Sequence, residues 1–307
     1  MRGKRGMYDL LCIGNPVYDI IETPYVKTGE RVLSGCSVNA AITARRLGLT
    51  NIALVGCVGK DYEHKLLSDL ARLGINKLYV KLSKETGGFK LTYSSNLRDR
   101  VLDVIGIAGK IEPSDIPLSF LEARFVLIGP ILQEVDLDLI KLIKKRGVAE
   151  VFLDPQGLVR KISKHGRIEH VRNEEALREA VKLCDYVKPN EAEAAVMTGL
   201  EPEDAVKELV KWGAKVGIVT MAERGSIVLG EGKLYRIPAF KTAALDPTGA
   251  GDVYAGAFIY SRIRGKNLLE AALFASAIAS IKVEHVGPDF PITREEGERR
   301  LKILKAS

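Results

Sequence analysis

Asp246-Pro247-Thr248-Gly249-Ala250-Gly251-Asp252 sets two glycines and a carboxylate at a tight turn, and a small-residue helix is expected behind it from Val253 to about Ile263. Gly249 and Gly251 permit backbone angles that side-chained residues avoid, and Ala250 keeps the turn low enough for a ligand to approach the main chain. The first amides of a helix lack internal partners and sit at the positive end of its dipole, so this turn is suited to an anion. Asp252 puts a carboxylate at the edge of that site. It is unfavourable there unless it acts, for instance by taking the proton of a hydroxyl that is being phosphorylated. An aspartate capping a helix after a glycine turn accounts for the same residues, and the segment alone leaves both readings open.

Other polar residues occupy comparable places. Asp19 follows the apolar run Tyr8–Gly14 and the turn Gly14-Asn15-Pro16. A carboxylate just past the C-terminal end of a parallel strand lies where open α/β sheets bind ligands, although turn capping explains it too. Gly35 and Asn39 stand at the start of a helix that Gly48 stops, and the Asn39 amide can both donate to and accept from a polyol hydroxyl. Asn190 and Glu193 open a further helix, and Thr220 lies near the end of a strand over Val216–Met221. Two better-known phosphate motifs are excluded. GxGxxG is missing after the first strand, and Gly56–Asp61 has the wrong spacing for a Walker loop.

These residues need a scaffold that gathers strand ends on one rim. Short apolar runs alternate with amphipathic stretches of helical length along most of the chain, which predicts a parallel sheet between two helical layers. Two segments break the alternation, at about 20–33 and 87–105. In the second, Phe89, Leu91 and Tyr93 alternate, as do Val101, Asp103 and Ile105, around a polar turn. That is hairpin patterning, and the two segments are expected to form a small β lid over a cleft. No linker or internal repeat divides the 307 residues, so a single domain over 1–307 is expected.

Composition narrows the function. With 46% hydrophobic residues the chain can bury a full core. No apolar run approaches a membrane span, and the basic stretch Met1–Gly6 leads into a short strand, not a signal peptide. Cys12, Cys36, Cys57 and Cys184 are scattered, which argues for reduced, cytoplasmic thiols and against a zinc site. The net charge of +7 is dispersed without interleaved aromatics, which speaks against nucleic acid and suits anionic small molecules. Scarce Gln beside abundant Lys, Arg and Glu hints at a thermophilic source.

Together the motifs resemble those of the PfkB (ribokinase-type) carbohydrate kinases over nearly the whole chain. Asp246–Asp252 is similar to the family's D-[TP]-T-G-A-G-D signature. Gly35 and Asn39 match its N-terminal signature, with Cys36 replacing the usual second glycine and expected to narrow the pocket. Asn190-Glu191-Ala192-Glu193 matches N-x-x-E, and Thr220–Gly225 resembles T-x-G-x-x-G with Ala222 in place of a glycine. The resemblance implies a three-layer α/β/α ribokinase-like fold and phosphoryl transfer to an alcohol. It makes Asp252 the base and Gly249, Ala250 and Gly251 the amide cradle. Asp19, Gly35 and Asn39 would bind substrate hydroxyls. Asn190 and Glu193 would organise Mg²⁺ and phosphates, the metal through water. Thr220 and Gly225 would lie along the nucleotide, with Ala275 and Ala279 walling its base. ATP is the simplest donor, with ADP as the alternative.

Asp154–Arg160 and Val283–Phe290 are similar to stretches of the inositol-kinase-like and other archaeal-type branches, which tilts the acceptor towards a sugar, cyclitol or ribose-containing molecule. Gln156 and Arg160 would reach the pocket. If Arg160 or Arg31 faces the substrate, a phosphorylated sugar enters the list. An apolar outer face on the lid would favour a homodimer. The rival classes are a catalytically silent sugar- or nucleotide-sensing module, which would need the base or cradle to be lost, and a Rossmann oxidoreductase, which lacks its fingerprint.

Overall fold

The computed structural model describes residues 8–147 and 149–306, so the expectation for Met1–Gly6 lies outside the described residues. In chain order the strands are β1 (Tyr8–Ile13), β2 (Val17–Glu22), β3 (Val32–Ser34), β4 (Ile52–Gly59), β5 (Lys77–Ser83), β6 (Gly88–Tyr93), β7 (Arg100–Gly106), β8 (Ala123–Ile128), β9 (Glu150–Leu153), β10 (Arg160–Ile162), β11 (Ile168–His170), β12 (Tyr186–Val187), β13 (Val216–Thr220), β14 (Ser226–Gly230) and β15 (Lys233–Ile237). The helices are α1 (Cys36–Arg46), α2 (Glu63–Arg72), α3 (Leu137–Arg146), α4 (Glu174–Leu183), α5 (Glu191–Thr198), α6 (Pro202–Lys211), α7 (Ala250–Ile263), α8 (Leu268–Lys282) and α9 (Arg294–Ala306).

The central sheet runs β15-β14-β13-β12-β9-β8-β1-β4-β5, parallel from β13 to β5, with β14 and β15 antiparallel at one edge. Its inner strands are apolar on both faces because both are covered. Leu10 and Cys12 of β1 belong to a core shared with α1, α2, α7, α8 and α9, while Leu11 and Ile13 belong to one shared with α3 to α6. The chain adds β4 and β5 to one side of β1, then crosses to β8 and the strands beyond it. At such a reversal the loops part and leave a crevice at the carboxyl ends of the strands. This is the expected three-layer architecture.

A second sheet, β3-β2-β6-β7, forms the lid. Phe89, Leu91 and Tyr93 are buried together, as their alternation predicts. The partner strand differs. Leu102 and Val104 pack against that cluster, while Val101 is exposed. β7 is apolar on both faces, so alternation could not choose its inner side. A short antiparallel pair, β10 and β11, also appears where no strand was expected. Asp19 is corrected too. It lies within lid strand β2, which starts at Val17, and not on the rim of the central sheet.

Helix α7 begins at Ala250, three residues earlier than expected, so Asp252 sits in its first turn. It is buried nearly all round and lies against α1. Gly256 makes that approach possible, since a Cβ there would stand 2.6 Å from the carbonyl oxygen of Ala40. The close crossing brings the start of α1 against the start of α7.

Candidate active site

The floor of the crevice is the Asp246–Asp252 turn. Gly249 caps α7 with a left-handed φ of 76°, and a Cβ on it would lie 2.6 Å from Asn39 Nδ2. A side chain is thus excluded by conformation and by space. The amide of Ala250 donates to the carbonyl of Pro247 at 3.1 Å. Among the described residues no protein acceptor meets the amides of Gly249, Gly251 and Asp252. The amides left open therefore differ by one member from the expected set, because Ala250 gives its amide to the turn and the Asp252 amide is open.

Asp252 is held at both carboxylate oxygens. Asn39 Nδ2 donates to Oδ2 at 2.9 Å and Gln156 Nε2 approaches Oδ1 at 3.4 Å. Burial pushes its carboxyl above the usual range, the neighbouring Asp154 adds to this, and Asn39, Lys188 and Cys36 pull it back. The balance is a carboxylate more basic than a free one, oriented by two amides.

Above the floor lies a cavity of about 1550 Å³ between the lid and the sheet. Ordinary ligand pockets hold roughly 300–1,000 Å³, so this one has room for two molecules side by side. Asp19 and Gly35 line it, as expected. Asp19 Oδ1 accepts the amide of Phe89 at 2.8 Å. Burial pushes its carboxyl up to about 6, against the pull of that amide, of Ser34 and of Arg31 and Arg160. Asn39 is buried, and one of its amide hydrogens goes to Asp252 and orients that carboxylate. Cys36 is fully buried against Gly129 and is not among the residues that line the cavity. Gln156 and Arg160 reach the cavity. Arg31 does not. Its guanidinium is spent on the carbonyls of Tyr18 and Gly87 and stacks over Tyr62.

Toward the other end, Asn190 and Glu193 form a reciprocal helix cap: each side chain accepts the other's backbone amide at 2.9 Å. Glu193 is buried, and its carboxyl is pushed up by burial and by Asp154. One oxygen is committed to the cap and the other remains, which fits a hard cation that keeps most of its waters. Thr220 and Gly225 line the cavity, with Ala222 between them at a left-handed φ of 50°. Ala279 lines it as well. Ala275 is buried in the core, and the residues that α8 turns to the cavity are Ser276, Ala279 and Ser280, followed by Val283 just past its end. The uniformly small, apolar helix gave no sign of which face turns inward.

Sequence reasoning missed the buried pair Lys188–Asp154, joined at 2.8 Å on the cavity wall. Lys188 Nζ lies 3.3 Å from where a Cβ on Gly251 would be, so the ammonium borders the amide cradle. Both residues follow parallel strands directly, and the strand-end rule applied to Asp19 would have found them. Asp154, Asp252 and Cys36 offer atoms within 4.8 Å of one another. This is not a free metal cluster, because Lys188 occupies Asp154 and burial keeps the Cys36 thiol protonated. A further unseen link joins lid and floor, where Tyr93 Oη and Thr248 Oγ1 stand 3.0 Å apart.

Residues 7–295 match the family model described as pfkB family carbohydrate kinase. The chain is similar to a cytidine kinase of Thermococcus kodakarensis, 30% identical over 270 residues that cover 86% of this chain and 92% of the relative. It is also similar to a ribokinase of Haemophilus influenzae, 27% identical over 301 residues, covering 90% and 92%. Among solved structures, a pyrophosphate-dependent kinase of the ribokinase family, complexed with a pyrophosphate analog and myo-inositol, superposes with a TM-score of 0.80 at 26% identity, covering 94% of this chain and 99% of that one. Among the described residues no helix is long and apolar enough to cross a membrane.

Proposed function

The chain belongs to the pfkB family of carbohydrate kinases and is a phosphotransferase with an alcohol acceptor, and from that premise we propose that it phosphorylates a hydroxyl of a sugar, cyclitol or ribose-containing substrate, with Asp252 as the base. The observation that carries this reading is the state of Asp252: a half-buried carboxylate of raised basicity, oriented by Asn39 and Gln156 and set among unpartnered helix-start amides.

The acceptor enters from the lid side, where Asp19 receives a substrate hydroxyl and Phe89 and Leu91 exclude water. Asp252 takes the proton of the attacking hydroxyl. The amides of Gly249, Gly251 and Asp252 hold the transferring phosphoryl group, and Lys188 offsets its charge. Asn190 and Glu193 would hold Mg²⁺, and the ion would supply neutralising charge for the phosphates. The donor is most simply ATP, with ADP as the alternative, and its base lies on the stripe Ser276, Ala279, Ser280 and Val283. A sensing module is disfavoured, since neither base nor cradle is lost.

Asp252→Asn keeps the shape of the site and removes the base. We expect at least ~10² loss in kcat with nucleotide affinity retained. The measurement is Mg²⁺-dependent nucleotide turnover against a panel of sugars, polyols and nucleosides. Near-normal turnover in the variant would refute the base assignment.

A further inference from the structure

Residues 239–244 form a loop that walls the cavity beside α8. The loop has no ladder of its own. Among the described residues no main-chain amide from Ala239 to Ala244 donates to a main-chain carbonyl. Side chains hold it instead. Ser276 Oγ donates to the carbonyl of Pro238 at 2.7 Å, and Thr242 Oγ1 donates to Glu284. The ring of Phe240 lies against the guanidinium of Arg300, with 4.8 Å between its centroid and Cζ. Phe240, Thr242, Ser276 and Ser280 line the cavity, and Arg300 stands behind them.

Arg300 belongs to α9 and is 6% exposed. Every nitrogen of its side chain is engaged. Nε donates to Glu296 at 2.7 Å, Nη1 to Ser280 Oγ at 2.9 Å and to Glu284 Oε1 at 2.8 Å, and Nη2 to Glu284 Oε2 at 2.9 Å. The two bonds to Glu284 make a fork, which fixes direction as well as distance. Close packing puts the group there: a Cβ on Gly297 would stand 2.4 Å from Ile278 Cδ1, so α9 rests tightly on α8. Its other arginines differ, since Arg294 and Arg299 pair with Glu298 and Glu296 on their own exposed helix face. One guanidinium thus ties together α8 through Ser280, the segment after α8 through Glu284, and the loop through Phe240 and, by way of Glu284, Thr242. We propose that Arg300 is a positioning residue for the base of the donor: it touches no ligand itself and holds Phe240 and Ser280 where the base lies against them. This rests on the kinase reading with a nucleotide donor and deepens it. The phosphates are held elsewhere, by the glycine turn and Lys188, so Arg300 acts on the nucleoside part alone.

The test measures binding of AMP-PNP and of inorganic tripolyphosphate, each with Mg²⁺, to the full chain by calorimetry. Tripolyphosphate carries a phosphate chain like the donor's without the base. Arg300→Met should weaken AMP-PNP about tenfold, the scale of a hydrogen bond to a charged group, and leave tripolyphosphate within about twofold. Arg300→Lys keeps the charge but not the fork and should recover part of the loss. Phe240→Ala should cost AMP-PNP a similar factor, and adding Arg300→Met to it should cost little more, because the arginine acts through the ring. If Arg300→Met does not fold, Glu284→Gln, which keeps the shape and weakens the fork, should show the same split between the two ligands. Equal losses for both ligands, or unchanged AMP-PNP binding, overturn the inference. A chain that binds tripolyphosphate and not AMP-PNP overturns it too and leaves a kinase with an inorganic donor. Absence of turnover across the acceptor panel, with the AMP-PNP effect intact, overturns the kinase reading and not the role of Arg300.

Discussion

Two buried lysine–aspartate pairs flank the same turn and have opposite surroundings. Lys282 and Asp246 lie beneath it at 3.2 Å, closed off from the cavity. The ammonium also donates to the carbonyl of His285 at 2.8 Å, and Asp246 Oδ1 accepts the amide of Thr248 at 2.9 Å. Lys188 and Asp154 lie beside the turn at 2.8 Å and line the cavity. Burial holds the Lys282 ammonium below its ordinary pKa despite Asp246. For Lys188 burial pulls the same way, but Asp154 and Glu193 outweigh it and hold the ammonium above its ordinary value. One lysine thus has its oxygens supplied by the fold alone. The other is surrounded by more negative charge than its own pair needs and borders the open amides of the turn. A buried ion pair adds little stability relative to an apolar replacement, yet breaking one is costly. The contrast separates a pair closed in beneath the turn from a pair that lines the cavity beside it.

That contrast can be broken most directly at Lys282. Lys282→Met leaves Asp246 buried and uncompensated, and we expect about 3–5 kcal/mol of lost stability in denaturant unfolding, with activity falling alongside. A stable variant with full activity would remove the structural role. Next comes Lys188→Met. We expect kcat to fall by about 10², with the acceptor KM little changed and Lys188→Arg restoring part of the rate. Equal stability losses at the two lysines, with no excess rate loss at Lys188, would erase the difference between the pairs.

Asp19 sharpens the same boundary from the lid. Its carboxyl is pushed up to about 6. It must be ionised to accept a hydroxyl, so kcat/KM should decline as pH drops through that value, by about tenfold per unit for one proton. Asp19→Asn should raise the acceptor KM about tenfold at pH 8. A flat profile from pH 8 to pH 5 would contradict the assignment. The smallest effect concerns Ala222, whose φ of 50° suits glycine. Ala222→Gly should leave kinetics unchanged and add at most ~1 kcal/mol of stability.

The legible part of the site was the part built from turns. Gly249 and Gly251 beside Asp252, and Asn190 three residues before Glu193, are local signals, because a helix start is specified by a few adjacent residues. Side-chain direction was not legible. Ala275 and Ala279 look alike in an alanine-rich helix, and only packing against the sheet turned Ala279 to the cavity. Lid strand β7 is apolar on both faces, so Leu102 and not Val101 turning inward was likewise decided by its partners.

By itself the sequence determined the alternation that makes a doubly wound sheet, the glycine turn that opens α7, and the carboxylate in its first turn. These follow from local periodicity and backbone stereochemistry, which act over a few residues. Only the tertiary structure decided that Asn39 meets Asp252, that the amide of Ala250 turns to the carbonyl of Pro247, and that Lys188 and Asp154 meet beside the turn. Those outcomes depend on which polar groups are buried together after distant segments pack. Gly256 on Ala40 sets the helix crossing that joins residues 39 and 252, and that distance does not exist in the chain until it has folded.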